Sequence, residues 1–292
     1  MQGYQWRNEP RGLGGWLIVT LLIISLSSCA PPQSIATFAG TATITLDHGP
    51  PLFADLNGTC VRRHLLAQES APSFLPGAAP LHQAAACSQF VTEGAALTKL
   101  SSVLSAYFSA IHQLAAFNTS NVSTIASSAA ENAATAANWD SSQVSSAAKL
   151  STLITEAFTE RYQSRHLSTY LREAQQPVAD ILHAFEDVIG KDYLGLLREE
   201  EQTLKARYQR VGDAHSAAII LLLDRAYNQD LNELNARRQS AEAYVKALQQ
   251  IEQGQAKLAE NITRNSKELT MSLEPYITEL ESLLPEIERG LR

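Results

Sequence analysis

The chain has 292 residues, 45% of them hydrophobic, 7% aromatic and 18% charged, and a formal net charge of -7. That apolar share suffices for a buried core and excludes wholesale disorder, and the acidic balance argues against a nucleic-acid partner, which rewards basic surfaces. No proline lies between residues 81 and 176 or between 178 and 274, and four of the fourteen glycines fall in the first fifteen residues. A β-rich chain of this size needs many Gly- and Pro-based turns, so the pattern predicts an all-α protein built from long helices.

Arg7 and Arg11 precede an apolar run from Leu13 to Leu26, fourteen residues long. A spanning helix needs about 20, so the run reads as the core of a signal peptide. It ends in Leu26-Ser27-Ser28-Cys29. This resembles the bacterial lipobox, in which a leucine and two small residues precede the cysteine that is acylated and becomes the new N-terminus. The resemblance implies a signal peptide over 1–28, a lipidated Cys29, a tether over 29–34 and one helical domain over 35–292. It also implies a periplasm-facing envelope lipoprotein. Ala30, where enterobacterial lipoproteins retained at the inner membrane carry Asp, implies the outer membrane. Loss of Arg7, Glu9 and Arg11 removes a net +1 and takes the charge of the mature chain to -8.

With Cys29 acylated, Cys60 and Cys87 remain, an even pair in an oxidising compartment. A bond between them closes a loop of 28 residues that holds Pro72, Pro76, Gly77 and Pro80. Chain entropy assigns such a loop about 3–4 kcal/mol. The bond requires the two α-carbons to lie within about 7 Å.

Along the mature chain, Ile35, Phe38, Ala42, Leu46, Phe53, Leu56, Cys60 and His64 recur at helical spacing. Thr41, Thr43, Ile44 and Thr45 are locally strand-like, and Pro50-Pro51 interrupts the pattern, so two helices meeting at Gly49-Pro50 are expected. A helix from Pro80 to about Phe117 follows, its apolar face carrying Leu81, Ala84, Cys87, Val91, Leu97, Leu104, Phe108, Ile111 and Ala115. The Ala/Ser-rich stretch 118–151 reads as two packed helices capped by Asn121 and Asp140, with Trp139 at the corner, or as a flexible linker.

Residues 30–155 carry ten charges and residues 156–292 carry forty, the signature of solvated, extended helices. The run Arg198-Glu199-Glu200-Glu201 is expected on such a solvated face. Ala217 to Leu223 is apolar all round and is expected where a helix passes through the bundle centre, or else to dock a partner. From Ala241 an apolar stripe runs through Val245, Leu248, Ile251, Leu258, Ile262, Leu269, Leu273, Tyr276, Leu280, Leu283 and Ile287, with a mean step close to 3.5 residues. It predicts coiled-coil-like C-terminal helices in an antiparallel bundle within one chain, or otherwise an intermolecular coiled coil. Gln255 and Asn265 interrupt the seam, and Pro275 and Pro285 are expected to kink or break its end.

Chemistry is sparsely signalled. The histidines form no His-Glu-x-x-His or Glu-x-x-His pattern, and no nucleophile elbow, P-loop or dinucleotide motif occurs. Asp180, His183, Glu186 and Asp187 cluster in sequence, and the six residues around His183-Ala184-Phe185-Glu186 resemble the Gly-x-His-x-x-Glu motif of imelysin-type envelope proteins, with Ile181 in place of the glycine. At 100° per residue these polar side chains point away from Ile181, Leu182, Phe185, Val188 and Ile189, toward solvent. His183 and Glu186 are therefore weak metal candidates, and His112 and His215 conceivable ligands. The expected function is a non-catalytic, cofactor-free scaffold anchored in a membrane by its lipid and contacting another envelope protein or itself. The alternative is a helical ligand- or metal-binding envelope protein, remotely imelysin-like.

Overall fold

A computed structural model describes residues 33–69, 86–116, 122–135, 141–159, 164–213 and 217–290, which belong to one compact unit. Every regular element among them is helical. They are α1 (Gln33–Asp47), α2 (Gly49–Glu69), α3 (Ser88–Ala115), α4 (Val122–Thr135), α5 (Ser141–Thr159), α6 (Ser164–Asp187), a π-helical segment (Val188–Tyr193), α7 (Leu194–Asp213), α8 (Ala217–Asn261) and α9 (Ser266–Arg289). Among the described residues no helix is long and apolar enough to cross a membrane. The helical bundle predicted from glycine and proline spacing is the fold found.

Several expected boundaries hold. The first junction falls at His48, next to Gly49-Pro50. The strand-like threonines are helical because packing overrides their propensity: Thr45 is fully buried and donates to the Thr41 carbonyl at 2.9 Å, as Thr43 does to Ala39. The Ala/Ser-rich stretch is two helices, each beginning one residue after its expected cap. Asn121, Asp140 and Trp139 themselves lie outside the described residues, as do Cys29, Pro80, Leu81, Ala84 and His215.

α1 and α2 run antiparallel to α8, so that Phe38 packs at Gly254, Gly49 at Tyr244 and Asp55 at Arg237. The core between them holds Phe38 edge-on to Phe108 and Phe53 against both Phe185 and Tyr244. Two helices cross so closely at Gly94 that an added Cβ would sit 2.5 Å from the Phe53 carbonyl oxygen. Backbone cannot rotate away, so Gly94→Ala is expected to destabilise by about 1–3 kcal/mol despite alanine's better helix propensity. At Gly195 an added Cβ meets nothing within 4 Å, and Gly195→Ala is expected to stabilise by up to about 1 kcal/mol. Thermal unfolding of the two variants checks both signs.

Other expectations require correction. Val91 is 55% exposed rather than on the apolar face, because it lies about 120° around the helix from Leu97. The C-terminal stripe is shared by two helices of an antiparallel bundle within the chain, as expected, and only its point of reversal was not foreseen. It turns back between Asn261 and Ser266, so α8 and α9 pack antiparallel within the chain. Asn265 is not a seam residue but the N-cap of α9: its carbonyl oxygen accepts from the Glu268 amide at 2.9 Å while its amide donates to Glu268 Oε1 at 2.7 Å. α9 continues through Pro275 and Pro285, both on its exposed side, where water can satisfy the freed carbonyls, and α6 runs through Pro177.

The run Ala217 to Leu223 does not pass through the centre. Ile219, Ile220, Leu221 and Leu222 are 40, 45, 74 and 69% exposed. Beyond Leu204 on α7 and before Leu234 on α8 no described residue is buried, so these two helices leave the core as a paired arm. Tyr208 and Tyr227 meet edge to face across it with ring centroids 5.4 Å apart, and the Tyr208 hydroxyl donates to Asp230 at 2.8 Å.

Candidate functional site

The sequence places Glu199, Glu200 and Glu201 on consecutive helical positions, which point in three directions. The facing helices supply an arginine doublet to each side, Arg62-Arg63 on α2 and Arg237-Arg238 on α8. Arg63 pairs with Glu199 and Arg238 with Glu201. Between them Glu200, only 4% exposed, receives Arg62 Nε at 3.1 Å and the two terminal nitrogens of Arg237 at 2.8 and 3.0 Å. The solvated face expected for this acidic run holds for Arg198 and Glu199, which are exposed, but Glu200 is buried at its centre, because two distant basic doublets fold against it.

Asp55 completes the cluster. Its carboxylate accepts from Arg62 at 2.7 and 2.9 Å, from the Tyr193 hydroxyl at 2.6 Å and from Thr59 at 3.1 Å. The π-helical segment, which ends on Tyr193, widens the chain there and accompanies this delivery of its hydroxyl to α2. Burial, reinforced by the Asp55 charge, pushes the Tyr193 phenol above its ordinary range. Burial pulls the Arg237 guanidinium down, but its bonds to Glu200 and the Asp55 charge outweigh that and hold it up. Two carboxylates and two guanidiniums balance, and each carboxylate is engaged by several donors. The arrangement fastens α2, the π segment, α7 and α8 together.

Beside it opens a cleft of about 1000 Å³, lined among others by Arg63, Gln89, Glu93, Lys191, Asp192 and Glu199. Burial, with Asp192 nearby, raises the Glu93 carboxyl above the usual carboxylate range. Cys60 and Cys87 flank the cleft with their sulfurs at bonding distance, 2.04 Å, and their α-carbons 5.9 Å apart, within the limit set from the sequence. Their sulfurs and a ring nitrogen of His64 lie within 4.8 Å of one another, a group that could hold a metal ion as free thiols. With the sulfurs bonded to each other, His64 is the one ligand left in it.

The sequence-adjacent acidic and histidine cluster is taken apart by the fold. His183 Nε2 meets Glu252 at 3.0 Å on a ring 60% exposed, and Glu186 accepts from Gln249 at 3.2 Å, both partners on α8. Asp180 accepts from Ser146 and Gln176, and Asp187 from Lys191. No third ligand joins His183 and Glu186 among the described residues. His112 Nδ1 donates to the Ala36 carbonyl at 2.8 Å, which fixes its tautomer and ties α3 to α1. Gln255 keeps its expected place in the buried seam, donating to the Tyr107 hydroxyl at 2.7 Å.

These features define an all-α bundle with a charge-locked centre and a projecting two-helix arm. No protein-family model, no curated protein and no solved structure matches the chain.

Proposed function

We propose that the protein is a membrane-anchored lipoprotein of the bacterial cell envelope, periplasm-facing and at the outer rather than the inner membrane. Its role is non-catalytic: it scaffolds another envelope protein or a second copy of itself. The observation that carries this reading is Leu26-Ser27-Ser28-Cys29 at the end of a fourteen-residue apolar run. Two or more acyl chains on one cysteine give stable anchoring where one is marginal. Packing begins almost at once after it, since Ile35 is fully buried. The three residues 30–32 ahead of α1 can span at most about 10 Å, so the bundle would be held close to the bilayer.

Cys29→Ala is expected to leave the protein unacylated and uncleaved at that site. Mass spectrometry and detergent partitioning check this, and a variant that still partitions with the mass of an acylated mature chain overturns it. Crosslinking in intact cells, followed by purification, is expected to recover one predominant envelope protein or a dimer. A second reading, a helical ligand-binding envelope protein, is favoured by the charged cleft around Glu93 and Lys191. Native mass spectrometry showing a stoichiometric small ligand would move the assignment there.

A further inference from the structure

Ile219 to Leu222 are four consecutive exposed aliphatic residues, and at 100° each they sweep about 300° of the helix circumference. A helix that packs on a protein surface carries a one-sided stripe, as α9 does with Leu269, Leu273, Leu280 and Ile287. Ile220 and Leu223 face Lys205, Tyr208 and Gln209 of α7, whereas Leu221 and Leu222 are the most exposed of the run and face away from any described helix. The charge around this run also departs from the rest of the chain. Residues 205–225 hold Lys205, Arg207, Arg210 and Arg225 against Asp213 and Asp224, a net +2, and the remainder of the -7 chain therefore carries -9. Behind the aliphatic turn stand Tyr208 and Tyr227, with the Arg207 guanidinium 5.6 Å from the Tyr208 ring centroid.

We propose that this end of the α7–α8 arm docks on an anionic phospholipid bilayer. Ile219, Ile220, Leu221 and Leu222 enter the headgroup–acyl boundary, the tyrosines sit at headgroup level, and the exposed Lys205 and Arg225 meet lipid phosphates. The apolar run of seven residues is about 10 Å long against an acyl core of about 30 Å, so the end seats in the interface and does not cross. The contact is separate from Cys29 and stands without the anchor.

The test uses residues 30–292, which contain every described helix and lack both the signal segment and the lipidated cysteine. The chain is sedimented with vesicles of phosphatidylcholine alone and with vesicles containing about one-third phosphatidylglycerol. Binding to the anionic vesicles is expected to be at least about tenfold tighter and to weaken as salt rises above about 0.1 M. Leu221→Asp/Leu222→Asp is expected to abolish it, and Lys205→Glu/Arg225→Glu to remove the preference for anionic lipid. All four side chains are exposed, so circular dichroism melts should be unchanged. Three results overturn the proposal: no binding to anionic vesicles, binding that survives Leu221→Asp/Leu222→Asp, or lipid-free dimerisation that this double variant abolishes, which would make the occupant a second copy.

Discussion

Glu200→Ala is expected to cost about 3–5 kcal/mol of stability, because it strips a buried charge pair of one partner and leaves the other uncompensated. Arg237, 17% exposed at its side chain, would keep only Asp55 at 3.4 Å and Thr59 at 3.3 Å. Arg62 can turn toward water, being 39% exposed, so it limits the loss. Glu199→Ala is the control: its carboxylate is 56% exposed, and a surface pair of that kind is worth about 0–1 kcal/mol. Urea unfolding of both variants measures the contrast. Equal costs would mean that Glu200 behaves as a surface charge and that the network does not fasten the helices.

Removing the disulfide is expected to cost about 3–4 kcal/mol, the entropy released when a 28-residue loop opens in the unfolded chain. The folded state should survive, since α6, α8 and α9 bury their own cores through Ile181, Phe185, Leu248, Leu273 and Leu280. Cys60→Ser/Cys87→Ser should therefore unfold at lower urea with its helix content intact. Thiol counting on the denatured, unreduced mature protein decides the premise: two free thiols would show that the bond is not formed.

What could be read along the chain and what could not divide by range. Helix class followed from the proline-free stretches, because the angles that proline and glycine supply are local effects; α4 and α5 begin one residue after the positions expected from the sequence. The cysteine pairing followed from counting. Some errors are local, as at Val91, whose angle on its own helix already sets it off the apolar face, and at Asn265, which begins an Asn-x-x-Glu cap; the others are non-local. The triple glutamate reads as solvated until two arginine doublets from distant helices arrive on either side of Glu200, although those doublets were visible as a matching pattern. The seam after Ala241 keeps its period through Asn265 because α8 and α9 both turn an apolar face inward, so periodicity could not reveal the reversal between them. The run at Ala217 looked like core because hydrophobicity alone does not say whether another helix covers it. The sequence cluster of Asp180, His183, Glu186 and Asp187 has its side chains taken by separate partners, Ser146 on α5, Glu252 and Gln249 on α8, and Lys191 four residues along the same run.

The antiparallel course of α1 along α8 has a consequence for reach. Ser34 meets Thr270 across a 3.1 Å hydrogen bond, close to the turn that ends α8, whereas Leu221 lies near the other end of that helix. Forty residues separate Asn261 from Leu221, a rise of about 60 Å. The N-terminal entry to the bundle and the aliphatic turn are therefore opposite poles of one rod. Because no described residue of the arm beyond Leu204 and Leu234 is buried, whole helical turns can be added or removed in matched numbers on α7 and α8 without disturbing the core. Each turn moves the far pole by about 5.4 Å, which makes the arm a gauge whose length is set independently of the stability of the body that carries it.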